Sequence, residues 1–149
     1  MRDHDEAVRP FFDAYAKRMN DALASPPKVD VNSARDAFAD YFVGTNPKSV
    51  RGGKNGLLLR LMIPFGYRRY RKLGCKRMDL QRVDVTGLDD FHAMARTRWS
   101  SHFRRKDKTV VVIEFDNIYL LHVPDGGEPK IFAYITPDEQ QALKDHGIG

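Results

Sequence analysis

The stretch that decides the fold is TVVVIEFDNIYLLHVPDGGEPKIFAYIT, Thr109–Thr136. It is dense in β-branched and aromatic residues, and the turn residues of PDGGEP divide it into two strand candidates, TVVVIEFDNIYLLHV and KIFAYIT. Upstream, MDLQRVDVTG and DFHAMARTRWSSHFRRKD supply two more, separated by TGLDD and followed by the turn RRKDKT. Strands joined by such short polar turns read as an antiparallel meander.

Before Cys75 the periodicity is helical. Val8, Phe11, Phe12, Tyr15, Met19, Ala22 and Leu23 recur at the spacing of one helix face. Pro10 is tolerated near the first turn, and SPPK at Ser25–Lys28 stops the helix. Ser33 and Asp36 form a capping-box pattern opening a short second helix, with Ala34, Ala37, Phe38 and Tyr41 on its apolar side. YFVGTNP reads as a brief extended piece turning at Asn46–Pro47, and KSVRGGKNG, Lys48–Gly56, as a glycine-rich loop. Asn55 is placed to cap a helix from Leu57, which Pro64 and Gly66 are expected to break or kink and Gly74 to end. Thr136-Pro137-Asp138-Glu139 starts a last helix, with Thr136 as its cap, and Gly147 closes it. Helices first and long antiparallel strands after them define an α+β fold, with helices covering one face of a curved sheet, in one domain over residues 1–149.

Composition bounds the function classes. The one cysteine, Cys75, allows neither a disulfide framework nor a thiolate zinc cage. The most apolar run, LLLRLMIPF at Leu57–Phe65, is interrupted by Arg60 and Pro64 and falls short of the ~20 residues a bilayer span needs. With a polar start, MRDHDEAVRP, the expectation is a cytoplasmic protein with no membrane partner. The net charge of +5 is modest. GYRRYRKLGCKR, Gly66–Arg77, reads as the cationic end of a helix, where the macrodipole favours positive charge, with Tyr67 or Tyr70 turned inward beside Leu73. It lacks any RNA-binding or helix-turn-helix signature, so nucleic acid is not an expected partner. RGGKNG at Arg51–Gly56 lacks the full phosphate-binding spacing and suits a loop or lid.

Strand parity sorts the candidate site residues. In Phe91–Arg104 one face is Phe91, Ala93, Ala95, Thr97, Trp99, Ser101 and Phe103, the expected core and pocket side. The other, from His92 to Arg104, is charged. Ser101 and His102 therefore oppose each other and cannot act as nucleophile and base. In the Val110–Val123 strand both parities are partly apolar. Either Val110, Val112, Glu114, Asp116 and Ile118 face inward, or Val111, Ile113, Phe115 and Tyr119 do; a bulge would let each hold in part. An inward Asp116 would have to be paired, protonated or at a pocket.

The segments FFDAYAKRMN, FADYFVGTNP and TVVVIEFDNIYLLHVPDGGEPKIFAYIT, in this order, resemble the nuclear transport factor 2-like superfamily. This cone-shaped α+β fold includes SnoaL-like polyketide cyclases and ketosteroid isomerase. The resemblance implies a deep, largely apolar pocket between helices and curved sheet, with acid–base groups on its wall. Tyr15 is similar to the isomerase tyrosine that donates to the oxyanion, and Asp116 to its second donor, an aspartic acid kept protonated by an apolar site. Where the isomerase has its base carboxylate beside a proline, this chain has Asn46-Pro47, and an amide cannot accept the proton. Asp40, at the end of the second helix, is the nearest carboxylate. The implied catalytic pair is Tyr15 and Asp116, with Phe12, Tyr41, Asn46, Trp99 and Glu114 lining the pocket. The implied activity is binding, or isomerisation, hydration or cyclisation, of a small hydrophobic carbonyl compound with no metal and no cofactor. The alternative is a non-catalytic binding or accessory module. Either form would be a homodimer through the outer sheet face.

Overall fold

The computed structural model of the chain describes residues 2–149. Helix α1, Asp5–Leu23, carries Pro10 in its second turn and buries Val8, Phe12, Ala22 and Leu23 along one face. Helix α2 is short, Val31–Asp36, and its N-cap is Asp30, whose carboxylate accepts from the Ser33 backbone N–H at 3.1 Å.

The next two elements depart in part from the sequence reading, which has Tyr41–Pro47 extended and turning as found but carries the second helix through Phe38 and makes Lys48–Gly56 a loop. The second helix ends at Asp36, so Phe38, Asp40 and Tyr41 lie on a strand, β1, Phe38–Asn46. The glycine-rich segment is also a strand, β2, Ser49–Lys54. The two form an antiparallel hairpin from Tyr41↔Lys54 to Asn46↔Ser49. Asn46 builds its turn: Oδ1 accepts from the backbone N–H groups of Lys48 at 2.8 Å and Ser49 at 3.0 Å. Intrinsic propensity is poor for SVRGGK, and ladder pairing with β1, which is rich in aromatic and β-branched residues, overrides it.

Helix α3, Leu57–Lys72, runs unbroken through Pro64 and Gly66. Its cap is not Asn55, whose Nδ2 donates to the carbonyls of Arg35 and Phe38, each at 3.0 Å, and so ties the hairpin end to α2. Gly74, at φ 92°, turns the chain out of the helix while its carbonyl accepts from the Arg104 N–H at 2.8 Å.

The meander follows as β3 Cys75–Asp89, β4 His92–Arg104, β5 Val110–His122 and β6 Lys130–Ile135, closed by α4, Glu139–Asp145. The α4 cap is Asp138 rather than Thr136, accepting from the Gln141 N–H at 3.1 Å. The six strands lie in the order β2-β1-β6-β5-β4-β3; β1 and β6 are parallel and all other pairs antiparallel. Register shifts in the β3–β4 pair at Cys75/Arg77, Leu80/Arg82 and Gly87/Asp89 bend the sheet around the helices. The β4–β5 pair has none, running in step from His92↔His122 to Arg104↔Val110.

This is the α+β cone expected from the sequence. Its concave side holds two apolar clusters. The amino-terminal half of α1 packs Val8 and Phe12 on Ala93, Ala95, Tyr119, Leu121 and Ile131. Leu23 at its other end joins Trp99, Phe103, Ile113, Leu143 and Ile148. Tyr15 packs against both, and a cavity opens beside it.

Candidate functional site

Because β4 and β5 pair without a bulge, one parity of each strand faces inward along its whole length. Trp99, Ser101 and Phe103 of β4 and Ile113, Phe115, Asn117 and Tyr119 of β5 line one wall of a cavity of about 290 Å³. Tyr15 and Met19 of α1 and Met78 of β3 add to the lining, as do Tyr70 of α3 and Thr136, Glu139 and Leu143 at the carboxyl-terminal end. Most of this surface is hydrocarbon and aromatic.

Its polar groups form two sets. Within the sheet, Trp99 Nε1–H donates to Thr97 Oγ1 at 2.8 Å, Thr97 donates to the Asn117 carbonyl at 3.1 Å, and Ser101 to the Ile113 carbonyl at 2.9 Å. These hydroxyls are engaged and fix the wall. The other set is less complete. Asn117 Nδ2 donates to the Tyr119 hydroxyl at 3.2 Å, while the buried Asn117 Oδ1 has no protein partner. The Tyr15 ring lies 6.0 Å from that of Tyr119 and 6.2 Å from that of Trp99. Burial, reinforced by Tyr119, pushes the Tyr15 hydroxyl well above the ordinary phenol range, and burial also raises Tyr119. Both remain protonated at neutral pH and so serve as hydrogen-bond donors. At the α4 side Tyr70 donates to Glu139 Oε2 at 2.7 Å, and burial together with that carboxylate raises the Tyr70 pKa well above 10.0. Arg69 lies 3.8 Å from Glu139.

The structure thus places Tyr15 and Trp99 on the cavity wall and brings them together with Tyr119 and Asn117. Asp116 is elsewhere. Its parity is outward, and its carboxylate accepts from Arg98 at 3.1 Å and Arg96 at 3.4 Å. The Arg98 bond, with a smaller contribution from Arg96, holds it below the usual carboxylate range. An ionised, doubly paired carboxylate outside the cone is not the protonated donor inside it that the resemblance implied. Glu114 borders the cavity, but its carboxylate is on the outer side, 3.1 Å from Arg98 and 3.3 Å from the Ser100 hydroxyl. Phe12 is fully buried behind the wall, its ring 5.0 Å from Tyr119. Tyr41, 69% exposed, and Asn46, in its turn, belong to the β1–β2 edge, separated from β5 by β6, and do not line the cavity.

Sequence reasoning passed over Asn117, Tyr70 and Glu139 as site residues and left Tyr119 as one of two alternatives. Arg98 facing Asp116 was the available signal: the RRKDKT turn sets these two opposite one another, and opposite charges sort to one face.

Residues 5–139 match a family described as NTF2-like protein (DUF6841). No curated protein sequence matches. Among solved structures, a ketosteroid isomerase-like protein from Erwinia carotovora atroseptica superposes with a TM-score of 0.64 at 15% identity, over 92% of this chain and 97% of that one. An NTF2-like protein with a cystatin-like fold from Novosphingobium aromaticivorans gives 0.66 at 13% identity, over 94% and 86% of the two chains. A protein from the same organism, described as the beta subunit of an aromatic-ring-hydroxylating dioxygenase, gives 0.60 at 13% identity, over 89% and 87%. At these identities the likeness is one of fold.

Proposed function

We propose that this chain, which belongs to the NTF2-like family DUF6841, binds a small, mainly apolar molecule with one carbonyl or hydroxyl group in the cavity beside Tyr15. One observation carries the reading: an aromatic-walled cavity of about 290 Å³ on whose wall the phenols of Tyr15 and Tyr119 stand together. Such a site offers dispersion contact over most of a ligand and a few fixed donors for its polar atom. Tyr15 and Tyr119 are those donors, and Trp99 and Phe115 form flat walls. An anionic ligand does not suit it, because no cationic side chain lines the cavity.

Binding without turnover is the better supported role. Proton abstraction needs a base, and of the two carboxylates bordering the cavity Glu114 is turned outward. Glu139 is tied to Tyr70 and stands beside Arg69. If the site isomerises, hydrates or cyclises a carbonyl compound, Tyr15 is the donor and Glu139 the group that moves the proton. Support for a homodimer comes from the outer sheet face, where the Arg96, Arg98, Glu114 and Asp116 ladder lies on the same parity as the exposed Val110 and Val112.

Trp99 is the only tryptophan and lines the cavity, so its emission reports occupancy directly. Titration with a panel of neutral aromatic ketones and phenols is expected to give a saturable change for some members, weakened in Tyr15→Phe. No saturable response from any member, with the protein shown to be folded, would overturn the proposal.

A further inference from the structure

Helix α3, at 16 residues, buries none of its residues, unlike α1, β3, β4 and β5. Its inner side, Leu59, Ile63, Tyr67 and Tyr70, is half covered by the body of the protein. Its outer side presents Leu57, Leu58, Leu61, Met62 and Phe65, each more than half exposed. Five large apolar side chains on one convex helix face form a patch that a soluble surface does not carry without a partner.

Charge identifies the partner's chemistry. The outward face continues, one turn on, into Arg68, Arg69 and Lys72, and the Arg68 guanidinium lies 5.8 Å from the centre of the Phe65 ring. From Tyr41 to Met78 the sequence holds ten of the 25 lysines and arginines and none of the 20 carboxylates. The rest of the chain is therefore net acidic, fifteen cations against twenty carboxylates. The charge asymmetry is confined to the segment that carries the exposed apolar helix.

We propose that α3 is an interfacial anchor that lies on an anionic lipid surface. Leu57, Leu58, Leu61, Met62 and Phe65 would enter the headgroup–acyl boundary, with Arg60, Arg68 and Lys72 at headgroup level. A helix with an apolar face and cationic flanks binds in this way, lying in the interface rather than spanning it. None of the described helices is long and apolar enough to cross a membrane, which accords with a surface mode. Self-association through this face would set Arg68, Arg69 and Lys72 against the same cations of a second copy, and a nucleic acid would leave the leucines in water. The face is convex and offers no groove for a peptide.

The test is co-sedimentation of the full chain with phosphatidylcholine vesicles and with vesicles containing a minority of phosphatidylglycerol. Binding is expected to the anionic vesicles alone and to fall with added salt. The double variant Leu58→Ser/Phe65→Ser is expected to lose roughly tenfold or more in partitioning, and each of Arg68→Gln and Lys72→Gln roughly fivefold. These side chains already face solvent, so circular dichroism and Tm should be unchanged, which separates lost docking from lost folding. Absence of binding to anionic vesicles at low salt overturns the proposal, and so does undiminished binding by the leucine–phenylalanine variant. A change of that variant's molar mass in solution would assign the face to contact between copies. Salt-sensitive RNA binding that competes with the vesicles and survives the variant would assign the cations to nucleic acid.

Discussion

The two faces of the β4–β5 ribbon share thirteen residue pairs of unbroken register, yet they are different solvents. Inward, Ala95, Thr97, Trp99, Ser101 and Phe103 face Tyr119, Asn117, Phe115, Ile113 and Val111 across the ladder. Outward, Arg96, Arg98 and Ser100 face Ile118, Asp116 and Glu114. On the inside the polar groups satisfy one another: the Thr97 and Ser101 hydroxyls donate to specific carbonyls, and the Tyr119 hydroxyl accepts from Asn117. On the outside the same strands tolerate full charges because water and neighbouring ions screen them. Chemistry requiring a neutral donor belongs inside, and carboxylates on the outer parity cannot be recruited to it without inverting the strand.

The comparison breaks most visibly at Trp99. Trp99→Ala removes a side chain that is 2% exposed and spans wall and core, and should destabilise the fold by about 3–5 kcal/mol in a denaturant titration followed by circular dichroism. A loss below about 1 kcal/mol would mean that the inner wall is loosely packed and that the cavity is not a defined site. Thr97→Val sharpens the inside further. The swap conserves shape but strips Trp99 Nε1 of its acceptor and the Asn117 carbonyl of a donor. About 1–3 kcal/mol should be lost, with a change in the Trp99 emission maximum as the indole N–H loses its partner.

How much of this was legible depends on which parity carried contrast. In β4 the inward set is small, apolar and hydroxylic and the outward set basic, so Trp99 was placed from the sequence. In β5 Val110, Val112, Ile118 and Leu120 are as apolar as Val111, Ile113 and Tyr119, so hydrophobicity could not choose. Asp116 was drawn inward by likeness to an enzyme, and the cations of the neighbouring strand decide otherwise. The β1–β2 hairpin was hidden for another reason: SVRGGK has little β propensity of its own and is a strand because β1 offers it a ladder. Tyr41 and Asn46 moved away from the pocket with it. Helix α3 runs on through Pro64, and at its carboxyl-terminal end Tyr70 and the capping Leu73 pack against the core. The cavity's remaining polar residues, Tyr70 and Glu139, come from elements nearly 70 residues apart, and no local pattern pairs them.

The smallest expected effect is the most discriminating. Asp116→Asn keeps the shape of the outer ladder and removes a charge that Arg98 and Arg96 hold ionised. Because the native pKa is depressed, the carboxylate contributes stability above its ordinary value, ~3.9, and that contribution disappears as pH falls through the lower native value. Wild type and Asp116→Asn should therefore differ at neutral pH by no more than about 1 kcal/mol, in favour of the wild type, and converge as pH falls below the depressed native value. Ligand titration monitored by Trp99 should be the same for both at pH 7. If the asparagine variant instead keeps its stability and loses the ligand response, Asp116 reaches the cavity in solution. The strict division between the two faces of the ribbon would then be wrong at the one position where the sequence had suggested it was.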